Sequence, residues 1–230
     1  MKKSIEEHAA RFDEKATEYD ESKSDEYHAC ANLVVERAAP AADDVVLDLA
    51  TGTGAIALAI APDADRVVGR DISEGMLEEA ERKAADKGIE NVEFDHGTFR
   101  EPEYDGPADT ESSETPRAPT RSARVDIVTS NFAMHHLSDP EKREAIDVIA
   151  DLEPRKFVLG DVMFFGEPDP DEPFYSPEVD DPATVGALAD AFTDAGFSLT
   201  AVERVHDQVG VLVAERCPTA ADVDEAPAEE

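Results

Sequence analysis

Cysteine is nearly absent from this chain. Only Cys30 and Cys217 occur, far apart and outside any CxxC spacing, so the sequence offers neither a disulfide framework nor a thiolate metal centre. Both are expected to be packing or surface residues in a reducing interior, and no metal site is expected. Basic residues are also scarce, 21 against 55 acidic ones, and no cluster of Lys and Arg provides a footprint for phosphate. A nucleic-acid partner is therefore not expected. Long apolar runs are missing too: nothing approaches the length of a membrane span, and the polar sequence after Met1-Lys2-Lys3 lacks the apolar stretch of a signal peptide. The sequence reading is a cytoplasmic protein with no membrane insertion.

What the chain has in excess is acid. The net charge of −34 is spread over nearly every helical stretch, and such a surface repels itself in dilute buffer. Molar salt screens charge over about 3 Å, so this composition points to the cytoplasm of a salt-adapted cell. An acidic interaction module fits only the short tail after Cys217. The length of 230 residues suits one α/β domain with decorations.

Apolar residues at Ile5, Ala9, Phe12, Ala16 and Tyr19 recur in steps of three and four and predict a first helix along one face. A second helical stretch is expected near Tyr27 to Ala38. Val45 to Leu49 then reads as a strand running into a glycine turn, Ala50-Thr51-Gly52-Thr53-Gly54. A second strand ends at Asp71, and Ser73 is placed to cap a helix that reaches Lys87 and stops at Gly88. Further strands are expected at Asn91 to Asp95, Val125 to Ser130, and Lys156 to Gly160, the last with Asp161 at its carboxyl end. Asp139-Pro140 and Asp181-Pro182 both resemble helix starts. Phe197 to Val205 and Gln208 to Arg216 predict a closing hairpin. The fold implied is α/β, a Rossmann-like three-layer sandwich with a seven-stranded, mainly parallel sheet and an antiparallel C-terminal hairpin. Its expected parts are an N-terminal helical lid over 1–40, the Rossmann-like domain over 41–217 with an insertion at 100–124, and an acidic disordered tail over 218–230.

Ligands of such sheets bind at the carboxyl ends of the strands. The glycine turn alone is compatible with plain packing, but Asp71, ending the next strand about 20 residues on, is where a carboxylate accepts both hydroxyls of a ribose. The alternative for Asp71 is a charge at a helix N-terminus, a task for which Ser73 is better placed. Asp48, inside the first strand, would oppose a pyrophosphate and attract an ammonium group, which favours S-adenosylmethionine over NAD. It is otherwise an acid satisfied by backbone N–H groups of the turn.

At these residues the chain resembles the class I S-adenosylmethionine-dependent methyltransferases, in particular the small-molecule branch that includes quinone-biosynthesis C-methyltransferases. Val46 to Gly54 and Val68 to Leu77 carry the resemblance most specifically, with weaker support from Phe12-Asp13, Tyr19-Asp20, Phe132 to Leu137 and Ala195-Gly196-Phe197. It implies that Thr53 and the Gly52 backbone lie against the methionine part of the cofactor, that Asp71 binds the ribose, and that Ile72 and Met76 flank the adenine; Asp48, Ala50 and Gly54 are also expected to bind the cofactor. Thr98 stands where many relatives carry an acid for the adenine amino group, and Asn131 matches a position that lines the cofactor. Asp151 to Arg155 replaces the glycine-containing turn common before strand five.

The implied reaction is in-line displacement at a sulfonium methyl, which asks mainly for alignment. His135 or His136 is a candidate general base, or else the pair shapes the pocket wall; a metal reading with Asp161 depends on long-range geometry. Tyr19 and Phe12 are candidates to cover the site, or else they pack the helix on the sheet. Tyr175 and the loop from Glu167 to Asp180 are expected to touch a small-molecule acceptor. An NAD-dependent oxidoreductase, a non-catalytic S-adenosylmethionine-binding protein and, as a minority reading, an RNA methyltransferase stand as alternatives. The acceptor and the oligomeric state are left open, a homodimer among the options.

Overall fold

The computed structural model describes residues 4–104, 124–167 and 173–216. The body of the 100–124 insertion, the acidic tail over 218–230, Cys217 and part of the Glu167 to Asp180 loop lie outside those residues. Strands β1 (Val45–Leu49), β2 (Arg66–Asp71), β3 (Val92–His96), β4 (Ile127–Asn131) and β5 (Lys156–Phe164) are parallel, and β7 (Phe197–His206) and β8 (Val209–Arg216) form the antiparallel end of the sheet. The order is β3-β2-β1-β4-β5-β8-β7, so it reverses between β1 and β4. A two-residue strand β6 (Ala183–Thr184) pairs parallel with Met163 and Phe164 and makes an eighth.

Every residue of β1 and β4 is buried, so neither strand shows the apolar/polar alternation of a half-exposed one, and the polar residues they carry, Asp48, Thr129, Ser130 and Asn131, are buried with the rest. Their side chains still alternate between two layers. Leu47, Leu49, Phe157 and Leu159 pack with Ile146 and Ile149 of α5 (Asp139–Asp151) and with Leu188 and Phe192 of α6 (Val185–Asp194). Val46, Ile127 and Val158 face Cys30 and Val34 of α2 (Asp25–Ala38) and Ile56 and Ile60 of α3 (Ala55–Ile60). The remaining long helix, α4 (Glu74–Lys87), starts at the Ser73 cap, whose oxygen accepts the Met76 N–H at 3.2 Å, and ends on Gly88 in the left-handed region.

Four local expectations change. The first helix, α1 (Ile5–Asp13), stops well short of Tyr19 and gives way to two short 3-10 turns. Asp13 turns its carboxylate instead to α4, where Oδ1 accepts from Ser73 Oγ at 2.6 Å and the Gly75 N–H at 3.0 Å. The cap of α5 is Ser138, in a reciprocal box with Glu141, rather than Asp139. Asp181-Pro182 does not begin a helix, because Ala183-Thr184 continues as β6 and Thr184 caps α6. Finally, β5 runs past Gly160 to Phe164, held by its antiparallel partner β8, so Asp161 sits inside the strand opposite Gly210.

Gly160 is where three layers meet most closely. A Cβ there would lie 2.5 Å from Asn131 Oδ1, 2.6 Å from Val34 Cγ2 and 2.8 Å from Cys30 Sγ. Gly160→Ala should cost roughly 2 kcal/mol of overpacking, a fall of about 4 to 8 °C in Tm for a domain of this size. A thermal melt showing no fall would mean that α2 can retreat from the sheet.

Candidate functional site

The reversal of strand order between β1 and β4 opens a crevice at the carboxyl ends of the strands. A cavity of about 200 Å³ fills it. The loop after β1 supplies Ala50, Thr51 and Gly52; the end of β2 supplies Asp71, Ile72 and, from α4, Met76. Thr98 and Phe99 follow β3, and Asn131 and Phe132 end β4. Backbone in the left-handed region lets the chain turn around this space: φ is 56° at Ala50, 55° at Gly52 and 54° at Phe132. Ala50 and Phe132 tolerate that conformation less well than glycine, and such strain persists where surrounding contacts enforce it.

Two carboxylates frame the glycine turn. Asp48 is fully buried; its Oδ2 accepts from Thr51 Oγ1 at 2.6 Å and its Oδ1 from Thr129 Oγ1 at 2.7 Å. Burial pushes its pKa up to about 6 against the pull of those two hydroxyls. Asp71 Oδ2 accepts the Gly52 N–H at 2.8 Å and Oδ1 the Ser73 N–H at 3.0 Å, so this acid fixes the shape of the turn. Burial raises its pKa, opposed by those N–H groups. Across the cavity, both atoms of the Asn131 carboxamide are buried without a protein hydrogen bond beyond a weak contact with the Tyr27 hydroxyl. A buried amide left this way awaits a polar ligand, since an unmet group costs about 1 to 3 kcal/mol.

Of the ten positions expected around a cofactor, Asp48, Ala50, Gly52, Asp71, Ile72, Met76, Thr98 and Asn131 line this one cavity. Thr53 and Gly54 are not in its lining. Thr53 Oγ1 instead donates to Asp20 Oδ1 at 2.7 Å, and Gly54 starts α3 packed close to Ala80 and Phe94. The Thr98 hydroxyl oxygen accepts the N–H groups of Arg100 and Glu101, which leaves its proton for a ligand.

The N-terminal segment forms the outer wall. Ile5, His8, Phe12 and Tyr19 line the cavity, and Asp13 and Asp20 tie the segment to α4 and to Thr53. Lys83 also pairs with Asp20. The Lys23 ammonium lies 3.3 Å from the Tyr19 ring centroid and 4.2 Å from that of Tyr27, and burial lowers its pKa to about 7 against the pull of Asp20. Burial, with Asp71 and Asp20 nearby, drives the Tyr19 phenol upward, so it stays protonated and makes a poor base.

The adjacent histidines divide. His135 is turned into the protein, where both its N–H and its Nδ1, at 2.9 and 2.5 Å, meet the carboxylate of Asp161. His136 lines the cavity, with Nδ1 2.7 Å from Asp180 Oδ1. Potential ligand atoms of His135, His136 and Asp180 lie within 4.8 Å of one another, but the hydrogen bonds pair each ring with its own carboxylate. Tyr175 is outside the lining and packs on Phe164 instead. Sequence spacing had no signal for Tyr27 or His8, which reach the site from α2 and α1, while Asp180, the last residue of the loop expected to touch the acceptor, reaches it through His136.

A sheet of this order with an antiparallel last pair, enclosing one pocket between a glycine turn, an acid ending β2 and a polar residue ending β4, defines the class I methyltransferase fold. Residues 46–152 match the family described as a methyltransferase domain. An uncharacterized methyltransferase, YcgJ, from Bacillus subtilis (strain 168) is 33% identical over 110 residues, 48% of this chain and 37% of that protein. The demethylmenaquinone methyltransferase of Clavibacter sepedonicus is 33% identical over 140 residues, 58% and 49% of the two chains. This chain thus spans less than half the length of those two curated relatives. The crystal structure of YcgJ superimposes with a TM-score of 0.57 at 26% identity, covering 75% of this chain and 70% of that one. DhpI, solved as a complex with SAH, shares the fold with a TM-score of 0.66 at 21% identity over 94% and 98% of the chains.

Proposed function

We propose that this chain transfers a methyl group from S-adenosylmethionine to a small-molecule acceptor. One observation carries the reading: the ends of β1, β2 and β4 bring a glycine turn, the Asp71 carboxylate and the buried Asn131 amide, in contact with the Tyr27 hydroxyl alone, to a single cavity. Asp71 would hold the ribose, Ile72, Met76 and Phe99 would flank the adenine, and Asp48, Ala50 and Gly52 would surround the methionine part. When bound, the cofactor supplies an electrophilic methyl on a sulfonium. The residues of this chain then have to align the acceptor and keep water out.

Residues 1–40 act as the lid. Supporting this are the aromatic faces of Phe12 and Tyr19 on the cavity and the ties from Asp13 and Asp20. Asp20→Ala should leave the fold intact and speed proteolytic cleavage near residue 20 severalfold, and saturating cofactor should slow that cleavage again. We take the chain to work as a cytoplasmic protein of a salt-adapted cell, without a nucleic-acid partner; among the described residues no helix is long and apolar enough to cross a membrane.

Calorimetric titration in molar KCl with S-adenosylmethionine, S-adenosylhomocysteine and NAD tests the proposal. Micromolar binding of the first two is the expected result. Binding of NAD alone would replace the reading with an oxidoreductase, and tight S-adenosylmethionine binding without turnover across a broad acceptor panel would favour a sensor.

A further inference from the structure

Resting on the methyltransferase reading, we propose that His136 is the general base of the reaction, held in place by Asp180, and that the acceptor is an aromatic molecule with a phenol-type hydroxyl. The assignment starts from hydrogen bonds. Asp180 Oδ1 occupies His136 Nδ1 at 2.7 Å, and Asp180 Oδ2 is fixed by the Ser176 N–H at 2.8 Å. The loop bearing Asp180 is fastened to the histidine segment by the Asp181 N–H on the His135 carbonyl at 2.6 Å, and by Lys142 Nζ, which donates to the carbonyls of both Leu137 and Asp181. A neutral imidazole so held carries its proton on Nδ1 and offers the Nε2 lone pair. His136 is the member of the pair that lines the cavity, whereas His135 commits its backbone N–H and Nδ1 to Asp161.

The surroundings specify the acceptor. Ile5, Phe12, Phe132 and Leu137 make this end of the cavity apolar and largely aromatic. Among the described residues Arg100 is the only Lys or Arg in the lining, and it is engaged with Glu141 and Glu144. A flat apolar molecule with one ionisable hydroxyl suits that wall better than a phosphate or carboxylate ester. In the step, the hydroxyl proton passes to His136 Nε2. The oxygen lone pair forms the new bond to the methyl carbon as the carbon–sulfur bond breaks, its pair staying on sulfur, and the imidazolium then releases its proton to solvent.

Every charged or titratable neighbour of the ring bears on its protonation. His8 approaches from α1, with ring centroids 4.9 Å apart, and His135 at 4.1 Å; Asp161, Asp180, Glu141, Lys142 and Arg100 are the other such groups nearby among the described residues. Burial outweighs the Asp180 hydrogen bond and lowers the His136 pKa below 6.5. The ring is then a neutral base at pH 7, and kcat/KM should fall only as pH drops below 6.5.

The test pairs turnover with a readout that needs none. In molar KCl, His136→Gln should bind S-adenosylmethionine within about threefold of the unaltered protein and lose about a hundredfold or more in kcat on phenol-type acceptors. The loss should shrink to a few-fold on 4-nitrophenol assayed at pH 9, which arrives already ionised. Asp180→Ala should lower kcat more than it raises KM and shift the acidic limb of the pH profile. Nitrogen NMR of the histidine rings, without cofactor, should show Nδ1 protonated and Nε2 bare at pH 7 in the unaltered protein. An equal loss on ionised and neutral phenols, a bare Nδ1, or activity abolished by EDTA and restored by a divalent cation would overturn the assignment. Failure of S-adenosylmethionine to bind the unaltered protein would sink the methyltransferase reading instead, and the NMR result would still decide the state of His136.

Discussion

Asp71→Ala should weaken S-adenosylmethionine and S-adenosylhomocysteine binding by about a hundredfold or more. An ionised carboxylate presents about four lone-pair sites; the Gly52 and Ser73 N–H groups fill two of them at 2.8 and 3.0 Å and the Ile72 N–H draws on a third, leaving at least one for the ribose hydroxyls. Hydrogen bonds to a charged group contribute about 1.5 to 3 kcal/mol each, and every 1.4 kcal/mol is a factor of ten. The substitution also orphans two backbone donors, so the unliganded protein should melt several degrees lower. Asp71→Asn separates the two effects. It preserves volume and one acceptor oxygen but turns an NH2 toward one of the N–H donors, so it should lose less affinity than alanine while still melting lower. Calorimetry and melts on both variants check this, and unchanged affinity in Asp71→Ala would remove the acid from the site altogether.

The sequence made the frame of that site legible because its parts are local. The Ser73 cap and the Gly88 stop are each decided within a few residues, the glycines of the turn after β1 are close together in sequence, and β1 announces itself as an apolar stretch broken only by Asp48. Elements decided by distant partners were not legible. Nothing near Asp161 says that β8 will extend β5 past it, and nothing near Asp181-Pro182 says that the next two residues will pair with Met163 and Phe164. The apolar spacing from Ile5 to Tyr19 is real, but it cannot register that α1 ends at Asp13, whose carboxylate serves Ser73 and Gly75.

The site shows the same division. Asp48 was legible as an acid beside the turn, but its partners are the hydroxyls of Thr51 and Thr129 together with the backbone N–H of Ala57 in α3, not N–H groups of the turn itself. Thr129 reaches it across the sheet, from 81 residues away. The two histidines were equivalent in sequence. Their difference comes from Asp161 on β5 and Asp180 on a loop, and only the folded chain sorts one carboxylate to each ring.

Moving the protein from 2 M KCl to 0.01 M should unfold it. The net charge of −34 sits on a body whose radius of gyration scales to about 17 Å, and at 0.01 M the Debye length of about 30 Å spans it entirely. Two unit charges about 25 Å apart in water repel by roughly 0.17 kcal/mol. Over the hundreds of pairs that such an excess creates, this reaches tens of kcal/mol, while a folded domain has about 5 to 15 in hand. Expansion relieves much of that repulsion, so the chain should open, and at about 1 M salt, where screening acts within roughly 3 Å, it should refold. Circular dichroism across a KCl series checks the midpoint. Acid separates repulsion from specific ion binding: at low salt, lowering the pH toward the isoelectric point near 4.3 should restore structure without added KCl. Asp48 pulls the same way, because its pKa of about 6 exceeds the unfolded value of about 3.9. The folded state then binds more protons between those limits and gains stability as the pH falls through 6. A fold that persists unchanged at 0.01 M KCl and neutral pH would mean that ion pairs such as Arg37 with Glu203 and Lys83 with Asp20 hold the acidic surface together without help from the solvent.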